Sequence, residues 1–215
     1  MKHRFLIWIL TIFSCCLCFI LISSILKNTN KEQAQFSYLK YDVEIEDKDV
    51  GWMTSKKSIS ESNPNITNFL IDSKVMLNVI TTYTIQLNSL STFKNDNLYY
   101  ANYVTKVNGD TQSFSTINWD GSKYIGWNKN QNTVIPVQKI VYSIGNIYYK
   151  EPIGQTQIFS EKHMEMCPIS KTGDFYTVSF SDGKSTMYKY QNGICIWAET
   201  KQRLYKITFR LKEIK

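Results

Sequence analysis

Asp174–Leu211 (DFYTVSFSDGKSTMYKYQNGICIWAETKQRLYKITFRL) constrains the fold more than any other stretch of this chain. Two dipeptides punctuate it, Asp182-Gly183 and Asn192-Gly193, and both suit the positive φ angles of type I′ hairpin turns. Around the turns the residues alternate. Tyr176, Val178 and Phe180 share one face, with Thr177 and Ser179 on the other, and Tyr205, Ile207, Phe209 and Leu211 oppose Lys206, Thr208 and Arg210. A period of two with one wet side marks antiparallel strands. The stretch therefore reads as four short strands in a meander.

The N-terminus obeys a different rule. Phe5–Leu26 follows Lys2 and Arg4 and carries no charge; at about 22 residues it is long enough to cross a bilayer as a helix. It exceeds the apolar core of a cleaved signal, which is typically about 7–15 residues. No A-x-A-like site follows it, and Cys15, Cys16 and Cys18 lie in mid-run, with bulky Phe13 two positions before Cys15, unlike a lipoprotein box. Residues 1–26 are read as a signal anchor, with a cleaved signal and free secretion as the alternative. Residues 27–37 form a polar linker, and 38–215 form one antiparallel β domain. Lys27 and Lys31 balance Lys2 and Arg4, so charge gives little orientation. A very short tail before a large domain suits export, and the β domain is expected outside the cytoplasm, in a periplasm or at a cell surface. The reverse orientation would leave it as a membrane-tethered cytosolic module.

Beyond the leader about 180 residues remain, enough for one domain with a sizeable core. A composition of 43% hydrophobic and 20% charged residues excludes disorder for most of the chain. The 14 Tyr suit half-buried pleated surfaces, where the ring packs and the hydroxyl stays wet. Net charge is +7, of which Lys2 and Arg4 supply two. The remaining Lys are scattered singly, as on solvated strand faces and protected edges, and no basic strip for nucleic acid forms. Aromatic strands bearing Lys and Tyr also suit oligonucleotide-binding barrels, but export argues against that partner.

Further strands are expected at Tyr38–Ile45, Val50–Ser58, Leu98–Val107, Thr111–Trp119, Lys123–Trp127 and Gln155–Glu161, with tight turns at Asn108-Gly109 and Asp120-Gly121. Phe69–Leu87 reads as one long strand, because Leu77, Val79, Thr81, Tyr83, Ile85 and Leu87 share a parity. Ser60–Thr67 and Asn128–Thr133 read as loops. Ile140, Ile144, Ile147 and Tyr148 have helical spacing, which predicts a short helix before Glu151-Pro152. About ten strands with regular turns predict an all-β fold, a strongly curved antiparallel meander or partial β-barrel.

A resemblance rests on three segments: YDVEIEDKDVGWM, with a first hairpin ending in Gly51; IYYKEPIGQTQIFSE, with a Tyr-Tyr-x-Glu-Pro motif and the pair Ser160-Glu161; and YTVSFSDGKSTMYKYQNGICIW, with a closing Tyr-x-Tyr-x-Asn-Gly hairpin. Together the chain resembles a family of exported bacterial β-rich proteins known only as a domain of unknown function. The resemblance covers most of residues 38–200 and implies one barrel-like domain on the secretory route, without an activity or site residues. The long apolar N-terminal segment departs from the family, whose members more often look cleaved.

Few residues suggest chemistry. His163-Met164-Glu165-Met166-Cys167 offers soft donors that would suit copper. In an extended chain, however, His163, Glu165 and Cys167 point one way and the Met pair the other. The favoured reading is Met side chains in a core and His163 at the surface, with no metal and no cofactor. Glu151 and Glu161 are conceivable as paired carboxylates, but acid–base work needs a shared cleft, and Glu151-Pro152 reads better as a chain turn. No nucleophile elbow, zincin helix or phosphate loop occurs. Cys167 and Cys195 would pair in an oxidising compartment if close enough, and two separate half-buried thiols are favoured. Asn65-Ile66-Thr67 would accept a glycan only on a eukaryotic secretory route.

The sequence thus predicts a non-enzymatic, exported or membrane-tethered β domain that holds a lipid or other apolar ligand or serves as a docking surface in the cell envelope. The alternative is an envelope structural or assembly protein without a small-molecule site, and an envelope hydrolase ranks third. The first two separate on whether the concave face encloses an apolar cavity of roughly 300 Å³ or more.

Overall fold

Strands make up most of the chain that the computed structural model describes, residues 37–78, 81–129, 131–202 and 205–215. The first strands are β1 (Tyr38–Ile45), β2 (Lys48–Ser60), β3 (Asn63–Asn78), β4 (Thr82–Lys94) and β5 (Asn97–Val107). β6 (Asp110–Trp119), β7 (Tyr124–Asn128), β8 (Gln131–Ile135), β9 (Gln157–Ser160) and β10 (Glu165–Thr172) follow. The closing meander is β11 (Phe175–Ser179), β12 (Ser185–Gln191), β13 (Ile194–Lys201) and β14 (Lys206–Ile214). The anchor expected over Phe5–Leu26 lies outside the described residues.

These strands form one open antiparallel sheet of 14, in the order β8-β7-β6-β5-β4-β3-β2-β1-β14-β13-β12-β11-β10-β9. Sequence neighbours are sheet neighbours, and the first and last strands pair in the middle. The free edges are therefore β8 and β9, which follow each other in sequence, so residues 136–156 must pass from one edge to the other. In a flat sheet β6 and β9 would lie roughly 50 Å apart. Instead the Ser115 hydroxyl on β6 donates to the carbonyl of Glu161, next to β9, at 2.6 Å. The sheet is rolled until its two edges approach, although no ladder joins β8 to β9 among the described residues.

The connecting segment runs inside this roll. Ile140 and Ile147 are fully buried, as are Leu39, Val43, Leu98, Ile117, Ile158, Val178 and Ala198 on the surrounding strands. The segment is stitched to strands far apart in the sheet: Leu98 N–H donates to the Ile140 carbonyl (2.8 Å) and Cys195 N–H to the Tyr148 carbonyl (3.0 Å). The helix predicted from Ile140, Ile144, Ile147 and Tyr148 is absent; residues 144–149 form turns. A segment enclosed on all sides buries its apolar side chains whatever its backbone does, so their spacing imitated a helical stripe.

Other expectations are corrected on similar grounds. The single strand Phe69–Leu87 is two, β3 and β4, reversing between Asn78 and Thr82, whose side chains hydrogen-bond at 2.8 Å. Leu77 faces Tyr83 and Val75 faces Ile85, so the hairpin preserves the parity that had suggested one strand. The loop Ser60–Thr67 is a turn at Glu61-Ser62 followed by an irregularity in the β2–β3 ladder, where Pro64 sits with no ladder bond to lose. The Asn128–Thr133 loop is shorter than expected, because β8 begins at Gln131.

Asn108-Gly109 and Asn192-Gly193 take the positive φ angles of type I′ turns, as do Glu46-Asp47 and Asn95-Asp96. Around Asp182-Gly183 only Gly183 is left-handed, and a five-residue loop closes through Phe180 N–H to the Lys184 carbonyl (2.9 Å), with Gly183 N–H donating to the Phe180 carbonyl inside it (3.1 Å).

Parity in β14 agrees with the sequence, but burial is only partial. Ile207, Phe209 and Leu211 pack against the core while half-exposed, and Lys206 and Arg210 face solvent. Ile207→Asp should therefore cost about 1–3 kcal/mol. Lys206→Ala, which loses a pair between its exposed ammonium and the partly buried Glu199 (2.9 Å), should cost no more than about 1 kcal/mol. Urea midpoints of the two variants measure the difference, and equal losses would mean the faces are reversed.

Candidate functional site

The interior of the roll is not uniformly filled. At one end aromatic rings close it: Phe69 meets Phe93 edge-on at 5.7 Å and Tyr149 at 5.8 Å, and Tyr148 stands between Tyr41 (5.5 Å) and Tyr188 (6.2 Å). The Tyr41 and Tyr149 hydroxyls donate to the carbonyls of Cys195 (2.7 Å) and Ser55 (2.6 Å). Such rings bury area while their polar tips stay paired.

Toward the other end, where the β9–β10, β11–β12 and β13–β14 turns gather, lies a cavity of about 270 Å³. Its apolar lining comes from strands far apart in the sheet order: Met53 of β2, Ile71 of β3, Leu87 of β4, Tyr188 of β12, and Ile207 and Phe209 of β14, with Ile144 and Tyr148 from the connecting segment. This explains the half-exposed state of Ile207 and Phe209. The volume is slightly below the roughly 300 Å³ at which drug-sized pockets begin, and one side is polar.

That polar side comes from serines on the inner face. β4 turns Ser89 and Ser91 inward between Leu87 and Phe93, and β6 turns Ser115 inward. Small side chains leave room for Glu161, which is 1% exposed and lines the cavity. Its Oε1 accepts from the Ser91 hydroxyl (2.6 Å) and from Gly145 N–H (3.0 Å). A side chain at Gly145 would collide with Ser91 and Glu161, so glycine is required for this approach. The other oxygen, Oε2, has no hydrogen-bond partner among the described residues. Burial pushes the carboxyl above its ordinary range, against the opposing hydrogen bonds of Ser143, Ser91 and the backbone.

Charged groups frame the mouth. Asp182 is approached by Lys184 (3.1 Å), Lys162 (3.5 Å) and His163 (3.9 Å). His163 is half-buried and stacks on Phe180 at 5.5 Å, rather than standing at the surface. Burial first, and then Lys162, lowers its pKa, which favours the neutral ring.

The His163–Cys167 cluster does not form one ligand face. Met164 takes a left-handed φ of 57°, which breaks the alternation. Met164 packs into the core beside Gly126, and Cys167 is buried in β10. No group of three or more His, Cys, Asp or Glu converges among the described residues. Cys167 and Cys195 are both buried free thiols, and burial pushes each up to about 12, so neither is a ready thiolate.

The two carboxylates weighed as a pair are not brought together. Glu151 accepts from the Tyr176 hydroxyl (2.8 Å), with Lys171 at 3.8 Å, and takes no part in the cavity lining, whereas Glu161 does. The segments carrying the resemblance do converge. Tyr148, Ser160, Glu161 and Tyr188 all line the cavity, and Gly51, packed tightly on the Lys74 carbonyl, lets β2 approach β3. What sequence reasoning missed is the role of Ser89, Ser91 and Ser115. Their inward parity was readable, but serines between apolar neighbours look like the wet side of a strand until the buried acid facing them is seen.

The family model described as "Domain of unknown function (DUF6134)" matches residues 41–212. In fold, the chain is similar to the crystal structure of a beta-barrel-like protein of domain of unknown function DUF1849 from Brucella abortus. That likeness has a TM-score of 0.53 at 12% identity and covers 84% of this chain and 97% of that one. No curated protein matches the sequence.

Proposed function

The chain belongs to the DUF6134 family, a domain of unknown function, and from its interior we propose that the domain is a non-enzymatic binder of a lipid or other apolar ligand. The cavity of about 270 Å³ between the facing halves of the rolled sheet carries this reading. Its walls are mostly aliphatic and aromatic, and burying a chain against them gains about 25 cal/mol per Å². Its size suits a single acyl chain better than a two-chain lipid. In this reading Phe5–Leu26 tethers the domain to a membrane and the β domain lies outside the cytoplasm, where it takes its ligand from the envelope.

Native mass spectrometry of the full chain, isolated from membranes in a mild detergent, tests the binding. The expected spectrum shows about one retained small amphiphile per domain, by the one-site stoichiometry of a single pocket. A chain that is bare in repeated preparations would contradict it and favour the assembly alternative. A C-terminal reporter fusion tests the topology, and activity confined to the cytoplasm would reverse the orientation.

A further inference from the structure

Resting on that reading, we infer that the ligand is an ionised fatty acid, whose chain lies in the cavity and whose carboxylate bridges the ammonium groups of Lys162 and Lys184 at the mouth. The cavity is amphipathic. Met53, Ile71, Ile207 and Phe209 give it apolar walls, while Lys162, Asp182 and Lys184 line it with charge. The two lysine side chains are 37% and 40% exposed, so a head group entering from solvent reaches them. Both ammonium groups approach one oxygen: Asp182 Oδ2 lies 3.5 Å from Lys162 Nζ and 3.1 Å from Lys184 Nζ. The two nitrogens are therefore no farther apart than those distances laid end to end. The other oxygen, Oδ1, accepts from Lys184 N–H at 3.2 Å and serves the turn.

One carboxylate thus answers two cations, and one positive charge is left over. Among the described residues that line the cavity nothing else cancels it. His163 favours its neutral ring, and Glu161 is 1% exposed, where burial favours the neutral acid. Like charges held this close repel, and the apolar walls beside them weaken the screening that water would give. An anionic head between the ammonium groups relieves that repulsion and makes charge-assisted hydrogen bonds to both. Ser73, Ser89 and Gln202 also line the cavity, but neutral groups serve any polar head and select none. Charge makes the selection. A quaternary ammonium head would add a third cation, and an alcohol would leave the excess in place. A carboxylate brings the one negative charge that closes the balance, and its two oxygens meet two donors at once.

The test is competitive photolabelling of the full chain in phosphatidylcholine nanodiscs at about pH 8.5, where a fatty acid is ionised. The probe is neutral, a diazirine-bearing dodecanol, and labelled peptides should map to strands around the cavity. Dodecanoate should displace it about tenfold better than unlabelled dodecanol, and dodecyltrimethylammonium should displace it worst. Asp182→Asn keeps the turn's acceptor and removes the competing carboxylate, so it should raise the preference for dodecanoate about fivefold further. Lys162→Gln combined with Lys184→Gln should abolish that preference and shift it toward dodecyltrimethylammonium, because Asp182 is then left without its ammonium partners. Comparing each variant with wild type in the same nanodiscs cancels differences in bilayer partitioning. Should the double variant fail to fold, wild type and Asp182→Asn decide the matter. Equal displacement by dodecanoate and dodecanol in both, or a preference that survives the double variant, would overturn the fatty-acid inference and leave the apolar cavity standing. Failure of the probe to label the cavity, with no displacement by any compound, would overturn both readings.

Discussion

Tyr148→Ala is expected to destabilise the β domain by about 3–5 kcal/mol, the usual cost of removing a large buried ring. Tyr148 is 6% exposed and wedged between Tyr41 and Tyr188, at 5.5 and 6.2 Å. It lies on the segment that joins the two free edges, and its carbonyl receives the Cys195 N–H. Removing the ring therefore opens a void where β1, β12 and the connecting segment meet. Domains of this size are stable by only about 5–15 kcal/mol, so the loss is a large share of the total. Tyr148→Phe keeps the ring and should change stability by no more than about 1 kcal/mol. Urea midpoints for the two variants, with the slope unchanged, check this. A mild effect of Tyr148→Ala would mean that the connecting segment is not a packed part of the roll.

Glu161→Gln is expected to stabilise the domain increasingly as pH rises. The folded-state pKa of Glu161 lies above the ordinary 4.5 because of burial. Between those two pKa values the native state holds a proton that the unfolded chain releases, so wild-type stability falls with rising pH. The slope approaches about 1.4 kcal/mol per pH unit for one proton. Below 4.5 both states of the wild type are protonated, and the two proteins should match. Above it they diverge until the folded pKa is passed, after which the difference is constant. Melting curves from about pH 4 to about pH 8 on the same buffer series give the answer. A wild type that gains on Glu161→Gln as pH rises would show the carboxylate to be ionised and stabilised.

The fold was legible wherever one face of a strand is wet. β1, the β5–β6 hairpin and the closing meander could be read from alternation and turn dipeptides, because Asn108-Gly109 and Asn192-Gly193 accept angles that most residues resist. Legibility failed where burial is two-sided or parity is silent. The β3–β4 reversal hid because a hairpin with an odd–odd register preserves the alternation of its strands. The segment around Ile147 imitated a helix because everything near it is buried.

The candidate site was less legible still. Its residues come from strands separated by most of the chain, and only the pairing of β1 with β14 brings Met53 toward Phe209. Ser160 and Glu161 stood out as a pair, yet nothing in the sequence distinguishes a solvated glutamate from one enclosed by Ser91 and Gly145. His163 was weighed as a metal ligand and set aside for a surface position; it is half-buried on Phe180, and the left-handed Met164 breaks the alternation from which its face was read.

The claim that the rolled sheet encloses a binding cavity is tested most directly by methyl NMR of the full chain in nanodiscs as dodecane is added. Met53 lines the cavity, whereas Met76, at 51% exposed, lies on the outside of β3. Saturable shifts at the Met53 methyl and at Ile71 and Ile207, with Met76 and Ile153 unmoved, are the predicted result. Shifts at Met76 and Ile153 with the three interior methyls unmoved would contradict it.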